Sequence, residues 1–116
     1  MPTLPLPERD FQRQVIQLAR LWGWRVAHFR PARNGRGGWL TPVAADGAGF
    51  PDLVLVHPRR RLIAFAELKS DRGRVRPEQA AWLADLRAAG VAAFVWRPRD
   101  WAAIQAFLTG EQGFRD

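Results

Sequence analysis

The sequence predicts an α/β domain, a mixed β-sheet flanked by helices in the order α-β-β-β-α-β-α. Three observations predict it. An amphipathic helical period opens the chain, three strand-like runs follow, and a second long helix separates the third strand from a fourth. A helix between successive strands implies a parallel crossover, whereas strands joined directly imply an antiparallel meander. At 116 residues there is room for one domain, spanning 8–109, with flexible termini at 1–7 and 110–116.

The first helix is expected over 8–22, where Phe11, Val15, Leu18 and Trp22 recur at steps of four, three and four. Glu8 continues that stripe backwards, so it should face whatever the helix packs on; a first-turn carboxylate also suits the helix dipole. Gly23 ends the helix. "WRVAHF", 24–29, alternates like a strand, with Trp24, Val26 and His28 on one face. Segment 30–49 is rich in glycine and arginine and has no helical period, and so long an irregular stretch usually means function or mobility. The runs 52–57 and 62–69, joined across "PRRR", are apolar on both faces, as central covered strands are. Pro77 suits the first residue of a second helix reaching about Ala89, with Glu78 in its first turn and Gly90 past its end. "VAAFVW", 91–96, is a further buried strand, and 97–108 a short amphipathic helix.

Composition narrows the function classes. The absence of cysteine excludes disulfides and thiolate metal sites and fits a reducing, cytoplasmic setting. No apolar run reaches bilayer length, and "MPTLPLPERD" lacks the pattern of a signal peptide, so no membrane partner is expected. A net charge of +7 favours a polyanionic partner, most simply nucleic acid, with salt-sensitive binding. Coding bias toward arginine accounts for part of that surplus, because every basic residue but Lys69 is Arg.

The one lysine lies in an unusual place. Alternation along 62–69 puts Phe65, Glu67 and Lys69 on one face, and along 52–57 it groups Asp52 with Val54 and Val56. Folding the two strands about Arg59 leaves Asp52 seven residues behind the turn and Glu67 eight ahead, so the carboxylates should meet at one sheet edge. Adjacent carboxylates repel, and one should take up a proton unless a cation intervenes. Oxygen ligands at that density suit Mg²⁺ or Mn²⁺, with substrate phosphate completing the shell. A neighbouring lysine can orient and help deprotonate a water or hold a phosphate oxygen; arginine is poorer for the first task. A salt bridge at a strand end would use the same residues. Gln79 falls on the buried face of the second helix with Leu83 and Leu86. Its amide could be satisfied by the helix-start backbone or by the acidic edge of the sheet.

Taken together, "GFPDLVL", "FAELKS" and "RPEQAAWLADLRAAGV" closely resemble the VRR-NUC domain of the PD-(D/E)XK nuclease superfamily. Pro51-Asp52 and Glu67-Leu68-Lys69 carry the signature, separated by 67 − 52 = 15 residues, and Glu8 and Gln79 match further motif positions. The resemblance covers about Glu8 to Leu108. It implies a restriction-endonuclease-like fold and Mg²⁺-dependent hydrolysis of DNA phosphodiesters, with Mn²⁺ able to substitute. Asp52, Glu67 and the backbone carbonyl of Leu68 would bind metal, and Lys69 would position or activate the attacking water. Glu8 would hold a metal-bound water or a second metal, and Gln79 would orient the site. Stand-alone members resemble phage or bacterial replication and repair nucleases, some of them homodimers acting on branched DNA such as four-way junctions or flaps.

Around that centre, Arg30, Arg33 and Arg36, interleaved with glycines and Trp39, are candidates for gripping phosphate, or else a solvated loop. Arg72, Arg74 and Arg76 follow Lys69 directly and are placed to touch DNA leaving the site. His28 is a candidate near the site, although a lone histidine is more often structural. Arg59, Arg60 and Arg61 are expected to be plain surface, and Trp22 and Trp82 core. A catalytically weak DNA-binding or assembly module of the same fold, or an enzyme acting on RNA, would share most of these features.

Overall fold

Apolar residues three and four apart wind the first described segment into α1 (Glu8–Leu21), which buries Phe11, Val15 and Ala19. The computed structural model describes residues 6–29, 32–33, 39–40 and 44–110. Ala19, rather than Trp22, ends the buried stripe. Trp22 lies beyond the last helical turn as its C-cap and is 47% exposed, so it is not core. Gly23 follows with φ 95°, a conformation glycine adopts without strain, and the chain enters β1 (Arg25–His28). Ahead of the helix, Leu6 packs against the core.

Two short strands, β2 (Ala32–Arg33) and β3 (Trp39–Leu40), pair antiparallel within the segment expected to be irregular. Then come β4 (Leu53–His57), β5 (Leu62–Leu68), α2 (Pro77–Ala88), β6 (Ala92–Trp96), a 3₁₀ turn (Pro98–Asp100) and α3 (Trp101–Thr109). The last helix was expected to begin at 97. Instead the Asp100 carboxylate accepts the Arg97 N–H at 2.9 Å, closing a tight turn before α3 starts.

The main sheet has the order β1-β4-β5-β6. β1–β4 and β4–β5 are antiparallel and β5–β6 is parallel across the α2 crossover, the mixed topology the element order predicts. Leu53 opposes Ala66 and His57 opposes Leu62. One further step in that register puts Asp52 opposite Glu67. Leu53, Leu55, Ala64, Ala66 and Leu68 form one core with Phe11, Val15 and Ala19 of α1 and Ile104 and Leu108 of α3.

The other face carries Val54, Val56, Ile63, Phe65 and Glu67, and it is not covered throughout. α2 packs along β6, so Ile63 is left 45% exposed. The expectation of strands covered on both sides therefore holds for one face only.

At the turn joining β4 to β5, Arg60 is not plain surface. Its guanidinium donates to the carbonyls of Phe107 and Leu108 at 3.0 and 3.4 Å, capping α3 with a positive charge. It also lies 5.3 Å from the Trp24 ring centroid.

Candidate active site

The strand ends remote from that turn bring the acidic pair together. Pro51 is fully buried and has no N–H to satisfy. Asp52 follows it, just outside β4. Its carbonyl accepts the Phe29 N–H at 2.8 Å, prolonging the ladder with β1. Its carboxylate Oδ2 accepts the Leu68 N–H at 2.8 Å, which locks the side chain across the end of β5. Lys69 prolongs β5 in turn, its N–H donating to the Trp96 carbonyl at 3.0 Å.

Glu67 is only 2% exposed. Its Oε2 accepts from Gln79 Nε2 at 2.8 Å and lies 3.3 Å from Lys69 Nζ. Its Oε1 is buried and has no hydrogen-bond partner among the described residues. A buried carboxylate oxygen left unmatched is costly and rare. Burial raises the Glu67 pKa to about 7, the charge of Asp52 adds to the rise, and Lys69 opposes it. Asp52 is also raised by burial, against the Leu68 N–H and Lys69. The pair is short of positive charge.

Gln79 performs both roles the sequence left open. Its Oε1 accepts the Arg76 N–H at 2.9 Å and so satisfies the start of α2, while its Nε2 holds Glu67. The side chain is 7% exposed and ties a helix N-terminus to a strand end.

These groups open into a cavity of about 990 Å³. One wall is the segment 47–50. The Trp82 indole donates to the Asp46 carbonyl at 2.9 Å, and Phe50 meets Phe29, Phe65 and Trp82 edge-on. Gly49 has φ 84°, and a Cβ there would lie 2.6 Å from the Glu78 carbonyl carbon, so only glycine permits this approach to α2. Lys69, Arg74 and Arg76 also line the cavity.

Asp52, Glu67, Lys69 and Gln79 are thus brought together as the sequence reading expected. Glu8 also lines the cavity, but its carboxylate bonds to Gln12 at 3.3 Å. Among the described residues no third acidic, histidine or cysteine side chain joins the pair closely enough to make a three-ligand metal cluster. Leu68 buries its side chain in the core and offers backbone only. His28 opposes Leu53 and so shares the core face, away from Glu67. Arg72 is exposed, and Arg76 faces Glu78 at 3.6 Å. Arg30 and Arg36 lie outside the described residues, as do the side chains of Arg33 and Trp39.

Two contributors had no local sequence signal. Arg97 donates to the carbonyls of Ser70 and Gly73, both at 2.7 Å, and Arg99 contacts Asp71 through backbone and side chain. Together they tie down the segment following Lys69. Phe29 was legible only as a strand residue, yet its ring lines the cavity.

The donor set fits a hard divalent cation: two carboxylates, oxygen throughout, with one buried oxygen unmatched. The family model of the VRR-NUC domain matches residues 39–100, a span that contains Asp52, Glu67, Lys69 and Gln79. No curated protein matches the chain. The chain belongs to the VRR-NUC domain family, a nuclease domain family of the PD-(D/E)XK type, nucleases that usually use divalent metals.

Proposed function

We propose that this VRR-NUC domain is a Mg²⁺-dependent endodeoxyribonuclease, with Mn²⁺ able to replace Mg²⁺. The observation that carries the reading is the buried Glu67 Oε1, left without a partner beside the Asp52 carboxylate. Asp52, Glu67 and the Leu68 carbonyl would hold the cation. When bound, it would supply Lewis acidity toward the phosphate and lower the pKa of a coordinated water.

The chain's own groups do the rest. The Leu68 N–H and the Gln79 amide fix the two carboxylates in place, so little reorganisation accompanies the reaction. Lys69 presents its ammonium 3.3 Å from Glu67, where it can orient the attacking water or stabilise charge growing on the phosphate. Glu8, on the cavity wall, would hold a further water or a second cation. Arg74 and Arg76 grip phosphates flanking the cut, and Arg72 extends the basic path.

The finer reading is selectivity for branched DNA, four-way junctions or flaps, in phage or bacterial replication or repair. A homodimer suits it, because so small a domain has few surfaces with which to span a junction. Labelled linear, single-stranded, flapped and four-way DNAs, each incubated with Mg²⁺, Mn²⁺ or EDTA, test the whole proposal. Cleavage with either ion and none in EDTA is expected, fastest on a branched substrate. Binding without cleavage of any substrate would instead identify a DNA-binding module.

A further inference from the structure

Phe29 continues the register of β1 against β4 by one residue, because His28 opposes Leu53 and the Phe29 N–H bonds to Asp52. It is therefore the cross-strand neighbour of Asp52, which in turn opposes Glu67, which opposes Val95. One row across the sheet reads aromatic ring, carboxylate, carboxylate. Neighbouring strands are about 4.8 Å apart, so the two side chains leave the sheet one strand spacing from each other. Unlike the other cavity aromatic, Phe50, it is substantially open, at 48% exposure. It makes an edge-on contact with Phe50, which is itself braced on Phe65 and Trp82.

The cavity thus combines an apolar part, where the open Phe29 ring meets Phe50 and the chain at 47–49, with the charged groups Lys69, Arg74, Arg76, Asp52 and Glu67. A nucleotide reconciles the two, since its phosphate suits the cations and its base has a face that stacks on an aromatic ring. Bases inside an intact duplex have both faces covered by their neighbours. Only an unpaired or unstacked nucleotide can offer one.

We propose that Phe29 is the stacking platform for an unpaired base beside the phosphate held at the Asp52–Glu67 pair, making an unpaired nucleotide what the site recognises. The inference rests on the nuclease reading for the position of that phosphate, and its test does not require cleavage. Affinity is measured by anisotropy with Ca²⁺ in place of Mg²⁺, a hard cation that can bridge the carboxylates and the phosphate, for a flapped duplex whose unpaired arm carries either ordinary bases or abasic residues. Each probe is titrated with wild type, Phe29→Leu and Phe29→Trp.

Stacking predicts that Phe29→Leu weakens binding to the base-bearing flap by roughly tenfold, within the range of about 5- to 150-fold that one stacked base is worth. It also predicts little change on the abasic flap and retention of the difference by Phe29→Trp. Equal losses on both probes would show that the ring only supports the fold, and no loss on either would show that nothing stacks there. Both outcomes overturn the proposal. Coupling between ring and base in a protein that never cuts would retire the nuclease reading alone, and cutting without coupling would retire this inference alone.

Discussion

The two ends of the β4–β5 pair bury polar groups in opposite ways. At the turn end, His57 is 7% exposed and fully matched. Its Nδ1 accepts the Arg60 N–H at 3.1 Å, which leaves Nε2 protonated to donate to the Trp22 carbonyl at 2.9 Å. Trp24 stands edge-on to the imidazole and donates to the Leu108 carbonyl at 2.9 Å. At the open end, Glu67 is buried still more deeply, yet one oxygen is unmatched and a second acid sits beside it. Burial alone therefore does not distinguish a structural polar group from a functional one. The unsatisfied remainder sets Glu67 apart, because a buried oxygen without a donor is costly unless a proton or a ligand from outside the chain completes it.

The largest expected effect is at the open end. Asp52→Ala and Lys69→Ala should each lower cleavage by at least about 10³-fold, of the order seen when a transition-state contact is removed, with DNA binding largely kept. Single-turnover rates alongside binding titrations check this. Lys69→Ala cutting at the wild-type rate would remove the role assigned to that amine.

Next comes the pH dependence of stability without metal. The folded pKa of Glu67, about 7, lies above its ordinary value of 4.5. The folded state therefore binds the proton more tightly, and stability falls as pH rises from 4.5 through 7. The loss from Glu67 should be on the order of 3 kcal/mol, and Asp52 acts in the same direction. Denaturation in EDTA across that window should show the decline in wild type and a flatter profile in Glu67→Gln. Identical profiles would mean that the acid end is already compensated.

A smaller effect belongs to the turn end. His57→Ala should cost about 2 kcal/mol, from lost hydrogen bonds and packing, with the folded protein cleaving at the wild-type rate. A change in rate without a change in stability would break the division between the two ends. Smallest of all, Arg74→Ala should weaken binding uniformly across sequences and reduce the slope of log affinity against log salt by about one.

The acid end was legible because it depends on register, and register follows from counting about a turn. Asp52 and Glu67 are equidistant from the centre of "PRRR" to within one residue, and one step beyond the Leu53–Ala66 pair of the ladder sets them opposite each other. Gln79 could be placed on the buried face but not assigned a partner, since both candidates were within reach and the side chain has an atom for each. What stayed hidden depends on long-range contacts from side chain to backbone. Arg60 caps a helix 47 residues away, and Arg97 ties down carbonyls up to 27 residues away. Neither alters the local hydrophobic period. The β2–β3 ribbon has strands of two residues each, too short for alternation to register. Trp22 was assigned to the core because the stripe was carried one step beyond the end of the helix.

The central claim is that the Asp52–Glu67 pair is completed by a divalent cation. Titration calorimetry with Mn²⁺ and Mg²⁺ near pH 6.5, repeated in buffers of different ionisation enthalpy, tests it most directly. Saturable binding accompanied by proton release is predicted for wild type, because Glu67 must give up its proton to accept the ion, and Glu67→Gln should show neither. Wild type and Glu67→Gln giving the same heats, or wild type binding no ion at all, would contradict it.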